Sequence, residues 1–100
     1  MVTIGSTHYV KDHWTEQGIY TGSVKQVGRA KGDFVLEGQG RCVLTYPSKV
    51  VVYNGNWHND KKHGYGVLKV ESKDIVPQLI EQTEGSWHEG KLHGFCFQIK

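Results

Sequence analysis

Alternation between two kinds of residue is the clearest pattern along this chain. In residues 53–58 an aromatic residue or glycine alternates with asparagine or histidine, and a second alternating segment returns at 63–68. The polar segment 58–62 between them has the composition of a turn. Because alternate residues of a β-strand face the same side of a sheet, the two segments predict the strands of one β-hairpin.

The hairpin segment recurs thirty positions later in the chain. Residues 53–66 align with residues 83–96, and six of the fourteen positions are identical. The identical pairs are Gly55/Gly85, Trp57/Trp87, His58/His88, Lys61/Lys91, His63/His93 and Gly64/Gly94, and Tyr65 is matched by Phe95. Asp60 and Gly90 share a turn position where both residue types tolerate a left-handed backbone. Self-similarity at this period predicts a repeat array, for which binding is the usual function.

The repeated pattern resembles the MORN repeat family, whose units read roughly Tyr-x-Gly-x-Trp, a turn, and Lys-x-His-Gly-x-Gly. The matching residues of the first copy are Tyr53, Gly55, Trp57, Lys61, His63, Gly64 and Gly66. The last copy keeps Gly85, Trp87, Gly90, Lys91, His93 and Gly94 but has Thr83 and Cys96 at the outer positions. A degenerate unit begins at Tyr20 and Gly22, ends at Gly38 and Gly40, and has Val24 in place of the tryptophan.

The predicted fold is one all-β domain spanning residues 1–100. It is an antiparallel meander of MORN-type hairpins that forms an elongated, single-layer sheet of about six strands. The units span about 20–46, 53–70 and 83–100, after an N-terminal extension at 1–17 in which residues 7–10 have the composition of an edge strand. Glycines ordinarily weaken a strand, so their repetition predicts a tryptophan ring lying over a glycine of the neighbouring strand.

A short helix is predicted where the hairpin pattern is interrupted, at about 74–82. Ile75, Val76, Leu79 and Ile80 have helical spacing, and the segment is longer than a usual hairpin loop. Two interpretations stay open, because the apolar side of this helix would either cover the sheet or contact a partner.

Charge and composition narrow the possible partners. Twelve basic and ten acidic residues give a net charge of +2, which does not indicate nucleic-acid binding. No apolar run reaches the length of a membrane-spanning helix, and the first residues do not resemble a signal peptide, so we expect a cytoplasmic protein. Basic residues in two predicted turns make weak contact with anionic lipid an alternative: Lys25, Arg29, Lys31, Lys61 and Lys62.

Catalytic and metal chemistry are not expected. His58/His63 and His88/His93 repeat a five-residue spacing, but a hairpin is expected to point the members of each pair partly apart, and no carboxylate or cysteine completes a ligand set. Cys42 and Cys96 lie in predicted strands, and no acid–base pair forms a recognisable motif. The sequence therefore predicts no catalytic residues, no cofactor and no metal.

The predicted function is a non-catalytic protein-binding adaptor or structural scaffold. The resemblance implies a cytoskeletal assembly, often ciliary or flagellar. A peripheral membrane tether that binds anionic phospholipid is the alternative, and a regulatory part of an enzyme is a third reading. The expected contact residues are Tyr65, Phe95, Phe97, Ile99, Ile75 and Leu79. The last strand is expected to be a sheet edge that pairs with a partner strand or a second copy of the chain.

Overall fold

Seven antiparallel strands form one open sheet, and each strand pairs with its neighbours in sequence. The computed structural model describes residues 4–74, 76 and 78–99, and of residues 94–99 it describes the backbone alone. The strands are β1 (Thr7–Thr15), β2 (Gly18–Gln26), β3 (Phe34–Thr45), β4 (Lys49–His58), β5 (Lys61–Ser72), β6 (Leu79–His88) and β7 (Lys91–Ile99). The all-β meander is therefore confirmed, with β1 and β7 at the two edges.

The helix predicted at 74–82 is wrong. Leu79 begins strand β6, and Glu81 and Gln82 pair with Val70 and Lys69 of β5. Pairing with β5 supplies backbone hydrogen bonds over this segment, whereas a helix of under ten residues is marginal by itself. Asp74 and Val76 lie in the irregular connection, while Ile75 lies outside the described residues. The part of the chain that the structure describes holds no helix that could cross a membrane.

Two tight turns close the repeated hairpins in the way that the sequence predicted. Asn59 and Asp60 have φ values of 51° and 69°, and Glu89 and Gly90 have values of 49° and 85°. Two consecutive residues with positive φ are typical of a type I′ turn, whose twist matches that of the strands. The equivalence of Asp60 and Gly90 is therefore a shared backbone conformation.

The two faces of the sheet have different compositions. The molecule is 16 Å thick against 46 and 33 Å in the other directions, as expected for one sheet layer. The face that we call the core face bears the buried aromatic residues Tyr20, Tyr53, Trp57 and Trp87. The opposite face, which we call the open face, bears the alternate residues of each strand. Gly64 departs from simple alternation, because it has a φ of 73° beside a bulge between β4 and β5.

Each turn also joins its hairpin to the preceding unit. The backbone N–H of Asp60 donates to the carbonyl of Leu36 at 3.1 Å, and that of Gly90 donates to the carbonyl of Lys62 at 2.9 Å. Asp60 adds a bond that Gly90 has no side chain to make, since its Oδ1 accepts from the backbone N–H of Leu36 at 2.8 Å. The turn residue is thus part of the contact between units.

Replacing Asp60 by glycine should lower the free energy of unfolding by about 1–2 kcal/mol. Glycine keeps the left-handed backbone, but the buried Leu36 loses the side-chain acceptor of its N–H. Asp60→Asn retains an acceptor oxygen and is the matched control, expected to lose less than half as much. Urea denaturation monitored by tryptophan fluorescence measures both. Equal losses in the two variants would show that the Leu36 bond is not the stabilising contact.

Candidate functional site

The core face is built on an edge-to-face series of four aromatic rings. Trp57 lies between Tyr20 and Tyr53, with ring centroids 5.5 and 5.1 Å apart, and Tyr53 in turn contacts Trp87 at 5.5 Å. The interplanar angles of 85–87° are those of T-shaped pairs, which set the positive edge of one ring against the negative face of another. This series connects three successive units of the array.

Tyrosine rings, rather than the predicted tryptophans, cover the glycines. A row of paired glycines crosses five strands: Gly22, Gly40, Gly55, Gly66 and Gly85. A Cβ added at Gly66 would overlap the Tyr53 ring, whose Cε1 would lie 2.6 Å away, and one added at Gly40 would overlap the Tyr20 ring. The glycines therefore provide the space in which the tyrosines lie flat.

Hydrogen bonds fix both ring types in place. The Tyr20 hydroxyl donates to the carbonyl of Ser23 at 2.6 Å, and the Tyr53 hydroxyl donates to that of Asn56 at 3.1 Å. In both strands the acceptor is three residues further on, so the ring is folded along its own strand. Burial raises the pKa of Tyr53 to about 12 and also raises that of Tyr20, so both hydroxyls remain protonated donors at neutral pH.

The tryptophans bond to the neighbouring unit instead. Indole Nε1 of Trp57 donates to the carbonyl of Gly40, and that of Trp87 donates to the carbonyl of Gly66, each at 3.2 Å. The four rings of this series are therefore used by the fold, whereas the open face carries exposed aromatic residues.

Two exposed aromatic residues stand on the open face of β1. Trp14 is 78% exposed and Tyr9 is 71% exposed. Trp14 pairs with Ile19, which pairs with Val43, so an apolar row runs inward from Trp14 across three strands. Exposed aromatic residues beside apolar neighbours are typical anchors of protein interfaces.

A cavity of about 560 Å³ is lined by Tyr9 and by Ile19, the strand partner of Trp14. Its apolar wall includes Tyr9, Ile19 and Val43, and its charged lining is Lys11, Asp12 and Arg41. Asp12 has a φ of 51° at a bulge in β1. The mixture of an apolar wall with charges of both signs suits a peptide or protein surface better than it suits a single small ion.

The predicted contact residues divide into two groups. Tyr65 is on the open face, 55% exposed, and its hydroxyl donates to the Glu84 carboxylate, which raises the Tyr65 pKa. Leu79 is 48% exposed at the start of β6. The side chains of Phe95, Phe97 and Ile99 lie outside the described part, although their backbone belongs to edge strand β7, as does that of Gly94.

Four histidines form a row across the open face near the hairpin turns. The successive ring centroids are 5.2 Å apart from His58 to His63, 5.2 Å from His63 to His88, and 5.7 Å from His88 to His93. The expectation that the members of each pair point apart is therefore wrong, because the bulge at Gly64 and the strand pairing align them. Among the residues described, no group of three or more His, Cys, Asp or Glu side chains is placed to hold a metal ion.

Only four of the five basic residues predicted to lie in exposed turns are exposed. Lys25, Arg29, Lys31 and Lys61 are exposed. Lys62 points onto the core face instead, with its ammonium 5.4 Å from the Tyr53 ring centroid and 5.7 Å from that of Trp57. Burial lowers the Lys62 pKa. This cation stabilises the aromatic series rather than extending a lipid-facing edge.

Cys42 is a buried member of the core. Its thiol donates to the carbonyl of Gln17 at 3.3 Å, and burial raises its pKa, so the thiolate needed for nucleophilic chemistry is disfavoured.

Sequence reasoning missed Trp14 and Tyr9 as candidate contact residues. Both precede the first recognisable unit, so the repeat pattern gave them no position. The available signal was the presence of two large aromatic residues in the N-terminal extension 1–17, which has no place in the repeat.

Comparison with known proteins identifies the repeated hairpins. The family model of the MORN repeat matches residues 53–69 and 84–99, which fall within β4–β5 and β6–β7 respectively. No curated protein and no solved structure matched the chain. The β2–β3 hairpin lies outside the matched segments but places Tyr20 over Gly40 as β4–β5 places Tyr53 over Gly66.

Proposed function

The chain is a MORN-repeat protein, and we propose that it acts as a non-catalytic protein-binding adaptor or scaffold through the open face of its sheet. MORN repeats are in general protein- or membrane-binding motifs, so binding is the function common to the family. The observation that carries the choice of a protein partner is the exposure of Trp14 and Tyr9 on the open face, where Tyr9 lines the cavity.

The two faces of the sheet differ in the exposure of their aromatic residues, and this difference supports the proposal. On the core face the buried aromatic residues pack against one another, and the tryptophans also donate hydrogen bonds within the sheet. The open face keeps Trp14, Tyr9 and Tyr65 exposed, together with charged groups of both signs. Aromatic residues and arginine are enriched at the centres of protein interfaces, where they carry most of the binding energy.

The setting of this function follows the resemblance. A cytoplasmic scaffold in a cytoskeletal assembly, ciliary or flagellar in type, is the specific form that we propose. Edge strand β7 provides a second contact, because a partner strand or a second copy of the chain would complete its backbone hydrogen bonds.

Replacing Trp14 by alanine should weaken capture of the partner by at least about tenfold, since removing a central aromatic anchor costs about 2 kcal/mol or more. The measurement is affinity capture from source cells, quantified by mass spectrometry against the unmodified chain. Tyr46→Ala is the matched control, because Tyr46 is 41% exposed and lies in the β3–β4 turn, away from the cavity.

The membrane alternative is tested with Trp14→Ala and with a variant that removes the charges of the basic turns. Sedimentation with anionic liposomes at physiological salt should show little binding by the unmodified chain. Strong binding that is lost when Arg29, Lys31 and Lys61 are replaced by glutamine, but is retained in Trp14→Ala, would replace the adaptor proposal with a membrane tether.

A further inference from the structure

Glu37 fixes the orientation of the first histidine in the row. His58 Nδ1 lies 2.7 Å from Glu37 Oε2, and the backbone N–H of Asn59 donates to Glu37 Oε1 at 3.1 Å. The neutral His58 imidazole therefore carries its proton on Nδ1 and leaves the lone pair of Nε2 available.

This pairing is the arrangement that commonly supports a metal-bound histidine. Histidines that bind metal ions usually donate their other ring N–H to a carboxylate or carbonyl, which fixes the tautomer and makes the ligating nitrogen more basic. The His58 ring is also accessible, with its side chain 60% exposed. An ion in solution can therefore reach the His58 ring.

His63 provides the second nitrogen at a suitable distance. Two imidazoles on one tetrahedral Zn²⁺, at about 2.0–2.1 Å each, have their ring centroids roughly 5 Å apart. The centroids of His58 and His63 are 5.2 Å apart with planes tilted by 47°. His63 Nδ1 is buried without a hydrogen-bond partner, which leaves Nε2 as the nitrogen that an ion would reach.

We propose that His58 and His63 form a two-histidine site for a divalent transition-metal ion such as Zn²⁺, with Glu37 as the carboxylate behind His58. Water, or a side chain of a bound protein, fills the remaining coordination positions. Such a site binds more weakly than a closed site with four protein ligands. The proposal concerns binding of an ion and does not depend on the identity of the protein partner.

The other histidine pairs lack this support. Beside the Gly38–Trp57 pair Glu37 bonds to His58, and beside the Gly64–Trp87 pair the His63 ring contacts His88. The carboxylate position of the first unit is therefore taken by an imidazole in the next unit. His88 and His93 are also further apart, at 5.7 Å. The site is accordingly assigned to one pair among the three.

Zinc titration of the full chain, after removal of metal by a chelator, tests the assignment. Calorimetry should show one Zn²⁺ bound per chain at the tightest site. Long-range ¹H–¹⁵N spectra should show Nε2 of His58 and His63 changing while Nδ1 of His58 stays protonated. His58→Gln and His63→Gln should abolish this binding. Glu37→Gln should weaken it by about 10–100-fold, the usual effect of removing such a carboxylate.

His88→Gln is the matched control, because it removes the next histidine in the row and should leave Zn²⁺ affinity unchanged within about twofold. Loss of binding in His88→Gln with retention in His58→Gln would overturn the assignment. Absence of any imidazole response to Zn²⁺ would show that the row serves only as cross-strand packing. If a variant fails to fold, the ¹⁵N spectra of the unmodified chain still decide which rings bind.

Discussion

Replacing Trp57 by alanine should lower the free energy of unfolding by about 3–5 kcal/mol, the range for a large aromatic residue removed from a core. Trp57 is 2% exposed, contacts both Tyr20 and Tyr53 edge to face, and donates its indole N–H to Gly40. A single-layer sheet has no second layer that could move in to fill the space. Removal of this ring therefore separates the first two units from each other.

The control for this prediction is Trp14→Ala, which removes the same side chain from the open face. Trp14 is 78% exposed, so its loss should change the free energy of unfolding by less than about 0.5 kcal/mol. Urea denaturation followed by circular dichroism measures both variants without relying on the removed fluorophore. Similar stabilities for Trp57→Ala and Trp14→Ala would contradict the account of the core face.

Gly66→Ala should destabilise the protein by about 1–3 kcal/mol, although the substitution adds only one methyl group. The added Cβ would overlap the Tyr53 ring, which the glycine row now accommodates. The steric origin is tested by a double-mutant cycle with Tyr53→Ala. In that background the cost of Gly66→Ala should disappear, because the conflicting ring is absent.

Gly90→Asn is the matched glycine control. Gly90 has a φ of 85°, which asparagine tolerates, and no atom lies within 4 Å of an added Cβ. Its melting temperature should stay within about 2 °C of the unmodified protein, where ~1 kcal/mol corresponds to about 4–8 °C in a domain of this size. A cost of Gly66→Ala that persists without the Tyr53 ring would show that backbone conformation, and not ring packing, requires the glycine.

Much of the fold could be predicted because the sequence contains two copies of the hairpin segment. The thirty-residue offset places equivalent turns at Asp60 and Gly90, and the alternation of Tyr53, Gly55 and Trp57 assigns them to one face. The identity of the ring over the glycines could not be predicted in the same way. It depends on the tyrosine hydroxyl reaching a carbonyl three residues ahead, which alternation does not reveal.

The predicted helix failed for a different reason. Helical spacing describes a local preference, whereas β5 offers residues 79–82 a ladder of backbone partners that local spacing does not include. The histidine row was missed because sequence spacing was considered within one hairpin, whereas the contact between His63 and His88 depends on pairing between units. The contact between His58 and His63 depends on the bulge between β4 and β5, which spacing does not reveal.

The repeat pattern did not predict the exposed aromatic residues on the open face of β1. Trp14 and Tyr9 belong to a strand without a counterpart in the repeated units, so only the three-dimensional pairing of β1 with β2 places them beside Ile19 and the cavity. The repeat thus predicts the hairpins of the sheet. The aromatic residues that we propose as binding contacts lie on β1, the strand that precedes the repeated units.

Methyl NMR of the chain bound to its captured protein partner tests the central claim most directly, because methyl groups report separately on the two faces. The account predicts large shifts for Ile19 and Val43 on the open face, and unchanged signals for Val24 and Leu36, which are buried in the core. Shifts confined to Val24 and Leu36, with Ile19 and Val43 unchanged, would contradict the assignment of partner binding to the open face.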